Sequence, residues 1–147
     1  MRLFFRIMEK LIIKDGFTEM DFDRVCDMLK ESFWSPGISR AEVVRGADNS
    51  ALVVGAFLDG QQIGFARVIS DKTRFAYILD VYVTEGHRRK GVGRSMLRHI
   101  LAHEELKDVY QWLLITKDAH GVYGPLGFEP VSRPLDWLEI RGARPDR

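Results

Sequence analysis

The chain of 147 residues has one cysteine, Cys26. A single thiol excludes an internal disulfide and any cysteine-built zinc cluster, and it points to a reducing compartment. Cys26 sits on the apolar side of an amphipathic stretch, which marks it as core. Charge of one sign is also scarce, because 22 basic side chains stand against 21 acidic ones and leave a formal net charge of +1. A dedicated nucleic-acid binder is far more basic, so no nucleic-acid partner is expected. No apolar run approaches the ~20 residues needed to cross a bilayer, and no membrane partner is expected. The opening MRLFFRIMEK has apolar runs broken by Arg6, Glu9 and Lys10. They fall short of the roughly 7–15 apolar residues at the centre of a signal peptide, so the expected location is cytoplasmic. Repeats, low-complexity stretches and linkers are missing too. Residues 1–147 therefore read as one domain, large enough to bury a real core.

What is present is a regular alternation of short apolar elements. KLIIKDGF has strand character, and DFDRVCDMLKESFW places Phe22, Val25, Leu29 and Phe33 at helical spacing. WSPG breaks that helix, and Ser39 followed by Glu42 is a capping-box signature for a second one. ALVVGAFL and QIGFARVI flank Asp59-Gly60, a hairpin signal because both residues tolerate positive φ, and FAYILDVYV makes a third antiparallel strand. A helix is expected from Val92 to about Leu106, then a buried strand over Val109 to Thr116. A short helix is expected from Asp118, as N-cap, to Gly124-Pro125. GFEPV and WLEI read as two final strands. The strand–helix–strand passage from Phe75 to Thr116 implies a right-handed crossover between parallel strands. The expected class is α/β (α+β), a mixed central sheet of about six to seven strands with helices on both faces.

HRRKGVGR, His87 to Arg94, stands between a central strand and a long helix. The first N–H groups of a helix lack internal partners, and the peptide dipoles put about half a positive charge there. Gly91 and Gly93 carry no Cβ, so an anion can approach the backbone closely, and Arg88 can add a forked pair of donors. The arrangement suits a pyrophosphate. Neither the P-loop pattern nor the third glycine of the dinucleotide fingerprint occurs, and as a bare pattern the stretch could equally be a solvated basic turn.

VTEGHRRKGVG resembles the acetyl-CoA-binding segment of the GNAT superfamily of N-acetyltransferases, (Arg/Gln)-x-x-Gly-x-(Gly/Ala), with Arg88, Gly91 and Gly93 at the defining positions. AHGVYGPLGF resembles the family's fourth helix and the turn that follows, through Ala119, Tyr123, Gly127 and Phe128. One strand lies between the two segments, as in the family. Three departures stand out: Glu85 where the family often has Pro, Thr116 where it often has Asn, and Gly124-Pro125 after the tyrosine.

The resemblance implies a GNAT fold over the whole chain and direct transfer of an acetyl group from acetyl-CoA, the co-substrate, to a primary amine of a small molecule or protein, with no metal. It implies that Val81 and Val83 pair with the pantetheine arm and that Arg88, Arg89, Lys90, Gly91, Val92, Gly93 and Arg94 hold the pyrophosphate. Tyr123 takes the position of the acid that protonates the departing thiolate, or else is a packed core tyrosine. Asp80, inside YILDVYV, is the most conspicuous base, with a structural hydrogen-bonding role as its alternative; His120 is a weaker one. His87, His99 and His103 lack metal-ligand company in the sequence. The family's acceptor pocket lies at the connection of the first two helices, here SFWSPGISR, so Trp34, Ser35 and Arg40 are candidates to line it, and Trp34 is equally a cover over the core. A non-catalytic acyl-CoA sensor is the alternative function. By analogy, LDWLEIRGARPDR could give an edge strand to a homodimer.

Overall fold

The computed structural model describes residues 10–147. The opening stretch read against a signal peptide falls, but for Lys10, outside them. The chain forms two compact units, Met1–Ile115 and Thr116–Arg147.

The first unit is built on a five-stranded sheet in the order β1 (Leu11–Asp15), β2 (Leu52–Leu58), β3 (Gln61–Ser70), β4 (Phe75–Val83) and β5 (Gln111–Leu113). The first four strands are antiparallel to their neighbours and β5 runs parallel to β4. The β2–β3 hairpin turns at Asp59 (φ 50°) and Gly60 (φ 81°), the doubly positive geometry that the Asp-Gly pair predicts. Two helices fill the β1–β2 connection: α1 (Phe22–Lys30), whose N-cap Asp21 accepts the Arg24 N–H, and α2 (Arg40–Asp48), whose N-cap Ser39 accepts the Glu42 N–H at 3.2 Å. Each cap satisfies one of the first-turn donors.

Strand alternation sends side chains to opposite faces. Val53, Phe57 and Phe65 point to the face covered by α1 and α2, where they pack with Val25, Leu29, Val43 and Ala47. Cys26 is buried here, as expected, and burial pushes its thiol up from its ordinary value. The opposite face carries α3 (Val92–Leu101), which buries Val92, Met96, Leu97 and Ile100. Gly64 lets it approach: a Cβ there would lie 3.0 Å from Met96 Cε and 3.2 Å from Ala56 Cβ. Helices thus cover both faces, as expected.

Three expectations are corrected. The long helix stops at Leu101, because His103 takes an extended backbone and caps a separate 3-10 turn, Glu104–Leu106, through its Nδ1. The strand expected over Val109 to Thr116 is only Gln111–Leu113, since its pairing with β4 covers just Phe75–Tyr77. GFEPV and WLEI form no strand, so among the described residues the sheet has five strands rather than six or seven. Pro130 within GFEPV and Pro134 between the two segments remove ladder donors, and a 3-10 turn, Pro134–Asp136, lies between them.

The second unit contains α4 (His120–Tyr123) and a 3-10 turn, Gly124–Leu126. Its helix start is held by Thr116, whose Oγ1 accepts the Ala119 N–H at 3.0 Å, and not by Asp118. Gly124-Pro125 does not end the winding, which tightens to 3-10 geometry because Pro125 sits in a first turn that needs no donor from it. No helix of the described residues is long and apolar enough to cross a membrane.

Candidate active site

The turn from β4 into α3 is built by local geometry. Thr84 anchors it through its N–H to the Ile63 carbonyl, and a 3-10 turn, Glu85–His87, follows. Arg89 (φ 62°) and Gly91 (φ 81°) then take left-handed backbone, which swings the chain into the first turn of α3. Gly91 is its N-cap and brings no side-chain cap, unlike Asp21 and Ser39 at α1 and α2. The first helical bond runs from the Ser95 N–H to the Gly91 carbonyl, so the N–H groups of Val92, Gly93 and Arg94 precede the ladder. A Cβ at Gly91 would meet nothing within 4 Å, so the approach to these donors is open. A helix start with free donors, positive dipole end and three cationic neighbours fits a pyrophosphate.

The basic side chains around it are braced. Arg88 donates from Nε to the Val83 carbonyl at 2.8 Å, with its guanidinium carbon 5.2 Å from the centre of the Tyr82 ring. Lys90 Nζ donates to the Gly86 carbonyl.

Beside the turn, β4 has lost its β5 neighbour. Pairing ends at Tyr77, so the β5-facing edge from Ile78 to Val83, including Val81 and Val83, has no strand against it among the described residues. The other edge carries a bulge: Phe65 pairs with Tyr82 and Arg67 with Leu79, so Ala66 alone faces Asp80 and Val81. Asp80 sits in left-handed backbone at φ 55°. Its carboxylate accepts from Arg67 Nε at 2.7 Å and from Trp34 Nε1 at 2.9 Å. Arg67 in turn donates to the Gly46 carbonyl and to Ser50 Oγ at the end of α2. The ion pair is largely buried, with side-chain exposures of 18% and 11%. Arg67 went unremarked in the sequence, although a guanidinium inside an apolar strand is the same kind of signal that singled out Asp80.

An open cavity of about 400 Å³ lies between α1 and the end of β4. Arg24, Asp27 and Glu31 line it from the helix, and Tyr82, Thr84, Glu85 and Arg88 line it from the strand and turn. Trp34 and Ser35 are not among its lining residues. Trp34 is half-buried against the core, edge-on to Tyr82, with its indole N–H on Asp80, and the Ser35 N–H donates to Ser32 Oγ. Arg40 is ion-paired with Asp23 at the surface. In the second unit, Tyr123 meets Phe128 edge-on at 6.0 Å, and burial pushes its phenol up from its ordinary value.

The family model described as the acetyltransferase (GNAT) domain matches residues 49–130. Among solved structures, a GNAT-family protein of Xanthomonas campestris pv. campestris is 34% identical, with a TM-score of 0.83 over 90% of this chain and 93% of that one. Two more distant structures share the fold. One, from Deinococcus radiodurans R1, is 24% identical with a TM-score of 0.71, covering 90% of this chain and 88% of its own. The other, a Clostridium acetobutylicum protein solved with acetyl-CoA, is 18% identical with a TM-score of 0.67, covering 89% and 96%. No curated protein matches the chain. The chain belongs to the GNAT superfamily of acetyltransferases, and so to the acyltransferases.

Proposed function

We propose that the protein transfers the acetyl group of acetyl-CoA to a primary amine in a ternary complex. The observation that carries this is the start of α3: Val92, Gly93 and Arg94 present unpaired N–H groups behind an open Gly91, next to a β4 edge released from β5. In this reading Arg88, Arg89, Lys90 and the first turn of α3 hold the pyrophosphate, and the free edge at Val81 and Val83 pairs with the pantetheine arm. When bound, acetyl-CoA supplies an activated acetyl group and a thiolate leaving group. In the same reading, a backbone N–H near the β4 bulge stabilises the negative charge that builds on the carbonyl oxygen.

Two protons must move. A lysine-like amine has a pKa near 10.4, so about one molecule in two thousand is neutral at pH 7 and a base must serve the rest. Asp80 is a proton acceptor only through lone pairs left over from Arg67 and Trp34, and the geometry supports better its role in holding the bulge. In this reading Tyr123, by its place in the family motif, supplies the proton to the departing thiolate. A phenol at its ordinary value of 10.0 is already protonated at neutral pH, and burial pushes it further up.

The test is thiol release from acetyl-CoA against a panel of primary amines, with Tyr123→Phe and Asp80→Asn alongside wild type. Turnover with at least one amine, lost in Tyr123→Phe, is the expected result. Binding of acetyl-CoA without thiol release for any amine would instead make the domain a sensor. An acid limb in the pH–rate profile that survives Asp80→Asn assigns that residue to positioning, and its disappearance assigns it to the base.

A further inference from the structure

We infer that Asp15, His99 and His103 form a site for a divalent transition-metal ion of the zinc class, on the first unit and apart from the acyl-transfer site. The sequence separates Asp15, at the end of β1, from the two histidines by more than half the chain, which is why the set is invisible there. The fold brings one ligand atom from each to within 4.8 Å of the others. His99 Nε2 lies 2.6 Å and His103 Nε2 3.4 Å from the same carboxylate oxygen, Asp15 Oδ2. Around a tetrahedral ion with bonds of about 2.0–2.1 Å, neighbouring ligand atoms sit roughly 3.3 Å apart. The His103–Asp15 separation already has that value, and the His99–Asp15 pair must open by less than an ångström.

The donor set also selects the ion. Two imidazoles and one carboxylate suit zinc, cobalt or nickel, whereas calcium and magnesium take cages of oxygen. One negative charge on the set attracts a dication. Side-chain exposures of 33%, 32% and 18% leave a path for the ion and a fourth position for water. Without an ion, His99 donates its Nε2–H to Asp15, and His103 Nε2 lies within ion-pair distance of the same oxygen. His103 Nδ1 accepts the Glu105 N–H, which fixes the proton on Nε2. Metal binding moves that proton to Nδ1 and breaks this cap, so His103 is the weakest of the three ligands. The ion would clamp β1 to the end of α3, the helix whose start carries the cradle.

The test is calorimetric titration of the chelator-treated full chain with zinc chloride, repeated with cobalt chloride to read the visible absorption of a nitrogen-ligated ion. One ion per chain is expected, and zinc at a hundred times its dissociation constant raises the thermal midpoint by roughly 5–10 °C. His99→Ala and Asp15→Asn weaken binding by roughly a hundredfold and His103→Ala by roughly tenfold, while His120→Ala leaves it unchanged. Metal-free midpoints of all variants show whether each still folds, and cobalt spectra of the folded ones report the ligand set directly. Saturation only above millimolar zinc, or a His99→Ala variant that titrates and absorbs like wild type, overturns the assignment.

Discussion

At the scale of single residues, Tyr123 and the Arg67–Asp80 pair make separable claims. Tyr123→Phe removes one oxygen and little volume. It should lower kcat by about 10²–10⁴, the usual worth of a positioned acid, and leave acetyl-CoA affinity unchanged. Because its folded pKa is raised, the stability it contributes is complete below its ordinary pKa of 10.0 and is lost as pH rises through the folded value. Activity that needs the phenol proton should fall over the same alkaline window, which a pH–rate profile from 7 to 11 reads. The Arg67–Asp80 pair is a matter of stability. Arg67→Met leaves the Asp80 carboxylate buried with the Trp34 indole N–H still donating to it. Removing one partner of a buried pair costs about 3–5 kcal/mol, read by urea unfolding. A loss under 1 kcal/mol would mean that the pair is effectively at the surface.

At the scale of elements, close packing sets the tolerances. Gly64 lies beneath Met96, so Gly64→Val must push α3 off β3, at a cost of about 1–3 kcal/mol in the same unfolding measurement. The β3–β4 turn offers a pH test. Asp71 accepts the N–H groups of Arg74, Thr73 and Phe75 and the Thr73 hydroxyl, which hold its carboxyl well below its ordinary value of 3.8. A depressed folded pKa contributes stability that is full above the ordinary value and lost as pH falls below it. The gap in thermal midpoint between wild type and Asp71→Ala should therefore persist at pH 7 and shrink below about pH 4. These elements also show what the sequence could and could not say. The Asp59-Gly60 turn, the Ser39 cap and the amphipathic helices were readable because local chemistry decides them. The end of α3 was not, because a histidine capping its own new turn leaves no apolar break. WLEI reads as a strand by composition, but a strand also needs an edge to pair with. The start of α3 was readable as a motif, whereas the Arg67–Asp80–Trp34 network and the Asp15 cluster depend on tertiary contacts between distant residues.

At the scale of the whole molecule, the central claim is that the cradle at α3 binds acetyl-CoA, and ligand binding to the native state must appear as added stability. The measurement is thermal unfolding with and without acetyl-CoA, for wild type and Arg88→Ala. Acetyl-CoA at a hundred times its dissociation constant adds about 2.7 kcal/mol, a midpoint rise of roughly 5–10 °C for a chain of this size. Wild type should show that rise, and Arg88→Ala, which loses the guanidinium braced on Val83, should show clearly less at the same concentration. No shift in wild type at millimolar acetyl-CoA would contradict the account and return His87 to Arg94 to a solvated basic turn.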